Sequence, residues 1–292
     1  MMKFIDTSGG LGNQMFHYAF MLSFRASGEE AHIVPIRYRM KKEHNGYELD
    51  KVFHLPSEDT GFSMSKVLFI AYRHMLGFFP KAWWPMIDRC FGIVTVRQVE
   101  QDKYSPQLVM QKGRVVFFRG AWQSELYFER AKEQVVKIFN SFRMDKMSQK
   151  TLTMLNRIES VNAVSVHVRR GDYLAHNSLG GVCTLEYYRK AVQYMNNNLE
   201  SPRFFVFSDD KKWIEDNIEI ENATFVDFNT GVDSWQDMFL MSRCKNNIIA
   251  NSSFSWWGAY LNGNMAKIVI APKKWQVSSL GEDIVDKQWI RI

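Results

Sequence analysis

The stretch "SVHVRRGDY", residues 165–173, closes an apolar, alternating run with an imidazole, two guanidinium groups, a glycine and a carboxylate. An alternation of that kind predicts a buried strand, so the charges arrive together at its carboxyl end. Planar guanidinium forks match phosphate oxygens bidentately, which makes Arg169 and Arg170 candidates for holding a diphosphate. Polar groups recur at the ends of later apolar runs. "RFFVFSDD" delivers Ser208, Asp209 and Asp210, and "ATFVDFN" delivers Asp227 and Asn229. "NNIIA" runs into "NSSFSWWG", residues 251–258, where Asn251, Ser252 and Ser253 can cap a helix whose free N–H groups form an anion cradle. Taken singly, each reads equally as ordinary structure: a surface ion pair, a core histidine at His167, a capped strand exit, a capped helix with an aromatic anchor. Their recurrence at matching strand ends is what points to one site.

The elements that must position these groups follow from the rhythm of the second half. Short β-branched or aromatic runs at 163–168, 203–208, 223–228, 246–250 and 267–271 alternate with helical patterns at 185–199 and 234–244. Strands alternating with helices of this length predict βαβ units and a parallel sheet, with ligands beyond the carboxyl ends of its strands. The first half is looser. "MKFIDTS" predicts a strand, residues 13–26 a helix, and "AHIVPI", "GIVTV" and "RVVFFRG" further strands, while "SELYFERAKEQVVKIFN" predicts one continuous helix. The expected organisation is two α/β domains, residues 1–155 and 156–292.

Composition sets outer limits. The 292 residues suit one large or two ordinary domains, and the net charge of +6 favours anionic partners without choosing among nucleotides, nucleic acid or a phosphorylated surface. Cys90, Cys183 and Cys244 lie far apart, against a disulfide framework or zinc site and in keeping with a reducing compartment. "MMKFIDTSGGLGNQ" carries no apolar signal core. The segment 67–87, "VLFIAYRHMLGFFPKAWWPMI", is interrupted by Arg73, His74, Lys81 and two prolines and falls short of a span. It predicts a buried helix followed by an aromatic loop, the alternative being a patch resting on a membrane surface. The expected location is cytoplasmic, with peripheral attachment to the inner face of the membrane as the alternative. The glycine loop at 8–19, "SGGLGNQMFHYA", lacks the closing Gly-Lys-Ser/Thr of a P-loop, and Met15 stands where G-x-G-x-x-G needs its third glycine. It permits close backbone approach to a ligand and equally a plain tight turn.

"HVRRGDY", with "GGLGNQMFHYA" upstream and "NSSFSWWGAYL" downstream, resembles the α-1,2-fucosyltransferase family; "FRGAWQSELYF", "FSDDKKW" and "QDMFLMSRC" stand in the same order. The resemblance covers nearly the whole chain. It implies a GT-B-like fold of two Rossmann-like domains facing a central cleft, with GDP-β-L-fucose as donor and O2 of a galactose residue as acceptor. It further implies inversion at the anomeric carbon, and no metal or other cofactor. It assigns Arg169 to the β-phosphate, Arg170 and Asp172 to that loop and the fucose end, His167 to the nucleoside, and Asp209 to the guanine edge. Ser252, Ser253 and Phe254 fall to the diphosphate; Gly10, Gly12 and Asn13 face the cleft near fucose and acceptor. Arg169, Asp172 and Asn13 are the expected catalytic residues, without an assigned general base. His17 and Trp122 are acceptor-side candidates, and Trp83, Trp84 and Tyr127 further stacking groups. Two rivals stay open: a metal-dependent glycosyltransferase using Asp209 and Asp210 as a cation-binding pair, and a non-catalytic carbohydrate- or nucleic-acid-binding protein. No RNA-module signature or continuous basic stripe favours the last.

Overall fold

The computed structural model describes residues 1–36, 38, 44–171, 173, 177–218 and 220–292. The chain forms two compact units, Met1–Ser141 and Phe142–Ile292. The division precedes the expected 155/156 boundary because the intervening residues pack into the second unit. Phe142 stacks on Trp235 with ring centroids 6.1 Å apart and meets Phe239 edge-on at 5.3 Å. The Ser148 N–H donates to Gln236 Oε1 at 3.0 Å, and Thr151 Oγ1 donates to Asn229 Oδ1 at 3.0 Å.

The first unit holds four parallel strands, β1 (Met2–Asp6), β2 (Glu30–Val34), β3 (Ile93–Arg97) and β4 (Val115–Arg119), in the order β2-β1-β4-β3. Helix α1 (Leu11–Ala26) lays an aromatic layer on one face, where Phe20 and Phe24 meet Phe118 at 5.3 and 5.1 Å. On the other face α2 (Met64–Leu76) buries Phe69 and Ile70 against Phe4, Val34, Ile93 and Phe117. The expectation of a buried helix over 67–87 is therefore half met: α2 hides one stripe, ends before Gly77, and is followed by a second helix, α3 (Trp84–Cys90). No helix among the described residues is long and apolar enough to cross a membrane. The predicted helix over "SELYFERAKEQVVKIFN" is also broken. Two 3₁₀ turns, Glu125–Tyr127 and Glu129–Ala131, precede α4 (Lys132–Phe139). The break lies at Phe128, whose φ of −131° leaves the helical region while its ring is fully buried.

The second unit holds six parallel strands: β5 (Ala163–Val168), β6 (Arg203–Ser208), β7 (Ala223–Val226), β8 (Asn246–Ile248), β9 (Val269–Ala271) and β10 (Ile290–Arg291). Their order, β10-β9-β8-β5-β6-β7, is that of a Rossmann sheet and reverses direction between β5 and β8. Every residue of β5 is buried, as a strand covered on both faces requires. Helix α6 (Leu185–Asn198), after α5 (Gln149–Glu159), is started by Thr184, whose hydroxyl accepts from the Tyr187 N–H at 3.2 Å. Tyr187, Tyr188 and Met195 pack on Val164, Val166 and Ile248. The opposite face carries a buried polar ladder joining β5 to β8. Asn247 Nδ2 donates to Ser165 Oγ at 2.7 Å and to the Met241 carbonyl at 2.9 Å, and Asn262 Nδ2 donates to Asn247 Oδ1 at 2.8 Å.

Candidate active site

In a doubly wound sheet the crevice opens beyond the carboxyl ends of the two strands flanking the reversal, here β5 and β8. The first brings His167 and the arginine loop; the chain leaving the second brings Asn251 to Phe254. His167 is buried, and its Nδ1 has no hydrogen-bond partner among the described residues. Desolvation, with the Arg169 charge beside it and only partial opposition from Asp209, pushes the imidazole down to about 3, so the ring is neutral at pH 7. Its ring lies 5.9 Å from that of Phe254, linking the two strand ends.

The arginine loop is held by the end of β6. Asp209 accepts from the Arg170 N–H at 3.0 Å and pairs with Arg169 Nη1 at 3.3 Å. Gly171 lies so close that a Cβ there would sit 2.8 Å from Asp209 Oδ2, so a larger residue would push the carboxylate off the loop. Arg170 is held in turn, with its Nε 3.3 Å from Asp210 Oδ2 and its guanidinium 3.8 Å from the Trp213 ring centroid. Asp210 also accepts from the Trp213 N–H at 3.2 Å, capping α7 (Lys211–Asn217). The two consecutive aspartates are thus each matched to one arginine rather than turned together toward a shared cation. Among the described residues no group of three His, Cys, Asp or Glu side chains is arranged to hold a metal ion.

Across the reversal, Ser252 caps α9 (Ser253–Tyr260), which follows α8 (Trp235–Arg243), its hydroxyl accepting from the Phe254 N–H at 3.3 Å. Ser253 and Phe254 are half-buried at the helix start. Asn251 is fully committed to structure, its Nδ2 donating to the Leu179 and Trp275 carbonyls at 3.1 Å each. Asp227 and Asn229 turn away from the cluster: Asp227 pairs with Lys211 at 2.8 Å, and Asn229 donates to Asp237 at 2.8 Å. Asp172 lies outside the described residues.

The first unit repeats the principle. Its order reverses between β1 and β4, and a cavity of about 450 Å³ opens there, lined by Asp6, Asn13, His17, Arg97, Arg119 and Gly120. Asp6, Arg97 and Arg119 are the last residues of their strands, so the strand-end rule that located Arg169 would have located them too. Arg119 Nε lies 3.1 Å from Asp6 Oδ2. Asn13 accepts from Gln123 Nε2 at 2.7 Å. His17 lines this cavity, yet its Nε2 meets the Gly120 carbonyl at 2.9 Å, and its Nδ1 lies 3.0 Å from Thr7 Oγ1, so the ring chiefly ties β1 to β4. Trp122 is fully buried against Phe20, Phe118 and Tyr127, with no ring face left for a sugar. Its φ of 52° is held by Gln98, whose Oε1 accepts from the Ala121 and Trp122 N–H groups at 3.1 and 2.9 Å. Tyr127 is likewise core, whereas Trp83 is exposed and Trp84 donates its indole N–H to the Phe79 carbonyl at 3.1 Å.

In the glycine loop the residue that geometry requires is Gly9, which sequence spacing passed over. It has a φ of +77°, and a Cβ on it would lie 2.5 Å from Asn13 Nδ2. Gly10 has φ −73° and would place a Cβ in ordinary contact with His44. Gly12 is buried in the first turn of α1. Gln14 anchors the loop, donating to the Gly9 and Gly46 carbonyls at 3.1 and 2.8 Å and accepting from the Glu48 N–H at 2.8 Å.

A family model described as glycosyl transferase family 11 matches residues 101–292. An alpha-1,2-colitosyltransferase of Escherichia coli is 34% identical over 98% of this chain and 97% of its own. Galactoside alpha-(1,2)-fucosyltransferase 1 of Leontopithecus chrysomelas is 28% identical over 47% of this chain and 40% of its own. A crystal structure of NodZ alpha-1,6-fucosyltransferase soaked with GDP-fucose matches 88% of this chain and 91% of its own with a TM-score of 0.51 at 15% identity, a likeness of fold that identifies the two α/β units as GT-B type.

Proposed function

Because the chain belongs to glycosyl transferase family 11, we propose that it moves L-fucose from GDP-β-L-fucose to O2 of a galactose residue in an oligosaccharide or cell-surface glycan, inverting the anomeric carbon. One observation carries this reading: two arginines on a buried strand end, beside a serine-capped helix, at the reversal point of a Rossmann sheet. Transfer with inversion requires no enzyme nucleophile. The galactose hydroxyl attacks C1 as GDP leaves, through an oxocarbenium-like transition state, and the greatest demand is for charge opposite the departing β-phosphate.

Arg169 supplies that charge. Its Nη1 meets Asp209 at 3.3 Å at the end of the buried strand, and its planar fork matches phosphate oxygens bidentately. Arg170 and Asp172 shape the loop and the fucose end. The N–H groups at the start of α9, with Ser252, Ser253 and Phe254, take the diphosphate. The neutral His167 offers Nδ1 to the nucleoside. Asp209 keeps lone pairs beyond its two loop bonds for the guanine N1–H and amine. Gly10, Gly12 and Asn13 serve the sugar side, where the cavity between Asp6, Arg97 and Arg119 receives the acceptor. Free cysteines at 90, 183 and 244 support a reducing, cytoplasmic setting.

The test is GDP release from GDP-fucose across a panel of β-galactosides, with the product linkage determined. Turnover should survive EDTA; its loss with recovery on added Mg²⁺ or Mn²⁺ would replace this reading by the metal-dependent one. Thermal protection by GDP, weaker by ADP and absent with oligonucleotides, separates a GDP enzyme from a nucleic-acid binder. A second reading rests on the 34%-identical relative, whose name specifies colitose, which is fucose without its 3-hydroxyl. A site that hydrogen-bonds that hydroxyl rejects the deoxy donor strongly, whereas a merely apolar site discriminates little. Comparing kcat/KM for GDP-fucose and GDP-colitose decides between them.

A further inference from the structure

Between Phe62 and Phe91 the first unit exposes ten large apolar side chains, Phe62 by 78% and Phe78 by 89%. They are ordered rather than scattered. On α2 the buried positions Phe69, Ile70, Arg73 and Leu76 form one face. Met64, Val67, Leu68, Ala71 and Met75 are exposed, and at 3.6 residues per turn they fall within about 100° of arc on the opposite side. A surface helix with one buried stripe needs no second apolar stripe facing water. Beyond its end, Phe78, Phe79, Trp83 and Met86 extend the patch through the turn and along α3.

The hairpin is held in shape from beneath. Arg73 donates to both oxygens of Asp88 at 3.0 and 3.2 Å; Tyr72 and Thr95 donate to the same carboxylate at 2.7 and 2.9 Å. The Trp84 bond to the Phe79 carbonyl fixes the turn. The apolar exposure therefore belongs to a clamped element, larger and more continuous than the scattered apolar residues of an ordinary surface.

Charge selects the occupant. Asp88 is the single acidic residue from 61 to 99, and it is buried against Arg73, whereas Lys81 and Arg89 are exposed at the turn and on α3. An apolar stripe with aromatic residues at its tip and unopposed cations beside it has the composition of an interfacial element, with tryptophan suited to the headgroup level. We propose that residues 62–91 form a docking surface that seats the first unit on an anionic lipid bilayer, the exposed rings entering the headgroup boundary and Lys81 and Arg89 lying over lipid phosphates. This does not depend on which sugar the protein transfers.

The test is flotation of the full chain with vesicles of phosphatidylcholine alone or mixed with phosphatidylglycerol. Wild type should partition onto the mixed vesicles at least about tenfold better, the difference collapsing at high salt. Lys81→Glu/Arg89→Glu should lower that partition by about 25-fold or more, roughly fivefold for each cation. Leu68→Ser/Phe78→Ser/Phe79→Ser should abolish it. Both variants leave the Arg73–Asp88 clamp intact, so unchanged circular dichroism and melting are expected of them. Absence of flotation, or flotation indifferent to lipid charge and to Lys81→Glu/Arg89→Glu, overturns the proposal. So does sedimentation velocity showing a wild-type dimer that the serine variant dissolves, since the face then covers a second copy of the chain.

Discussion

Replacing Arg169 by alanine separates a catalytic from a structural role for the strand-end loop. The Arg169 Nη1 lies 3.3 Å from Asp209 Oδ2, and both side chains are about 30% exposed, at 31% and 28%. A pair that open to water contributes about 0–1 kcal/mol to folding, a few degrees of melting temperature at most. The Asp209 bond to the Arg170 N–H remains, so the loop keeps its backbone anchor. If the same guanidinium offsets charge on departing GDP, its loss should lower kcat by about 10²–10³, or roughly 2.7–4 kcal/mol of transition-state stabilisation. Arg169→Lys, which keeps the charge and loses the fork, should recover little of it. The assay pairs steady-state GDP release with differential scanning fluorimetry on the same samples. An alanine variant within threefold of wild-type kcat refutes the assignment, as does one whose lost activity tracks a large fall in melting temperature.

Further outcomes follow from the same geometry. His167 is held neutral at about 3 against an ordinary 6.5, so the unfolded chain takes up its proton first as pH falls. Its contribution is intact above 6.5 and should be lost toward pH 3 at about 1.4 kcal/mol per unit. Asp237, raised to about 7 by desolvation against the Asn229 bond, has the opposite slope. The measurement is therefore wild type minus His167→Phe in urea titrations across pH 4–6.5, and a difference flat with pH counts against the buried neutral imidazole. Gly9→Ala should cost about 1–2 kcal/mol or more, from its positive φ and the approach of Asn13, whereas Gly10→Ala should be nearly silent in thermal melts. Asp88→Ala should destabilise the first unit by about 3–5 kcal/mol by leaving Arg73 buried and unpaired, and the pair Arg73→Met/Asp88→Leu should recover much of that in chemical denaturation.

The second half of the chain was legible because its central strands, β5, β6, β8 and β9, are buried along nearly their whole length and stand out as short β-branched or aromatic runs between helical patterns. β5 and β6 have the bounds that the apolar runs predict, 163–168 and 203–208. The runs at 223–228 and 267–271 yield shorter strands, since pairing ends before the apolar pattern does. In the first half aromatic side chains fill the space, and rings pack as readily from a broken turn as from a helix. That is why the periodicity through Phe128 suggested one helix where there are two turns and a shorter helix. Gln98 and Gln14 carried no signal, because a buried carboxamide that satisfies loop N–H groups looks like any surface glutamine in a sequence. Arg97 and Arg119 did carry one, at their strand ends, and the looser rhythm around them hid it.

The amides inside the second sheet have a bearing on the chemistry at its edge. Side chains alternate across a strand, so sliding β8 one place along β5 would turn Asn247 away from Ser165 and strand its amide in a dry interior. The spacing between the guanidinium loop on one strand and the serine-capped helix after the other is thereby gauged from below, by groups no substrate reaches. Cutting that gauge with Asn247→Leu should blunt turnover before it unfolds the protein.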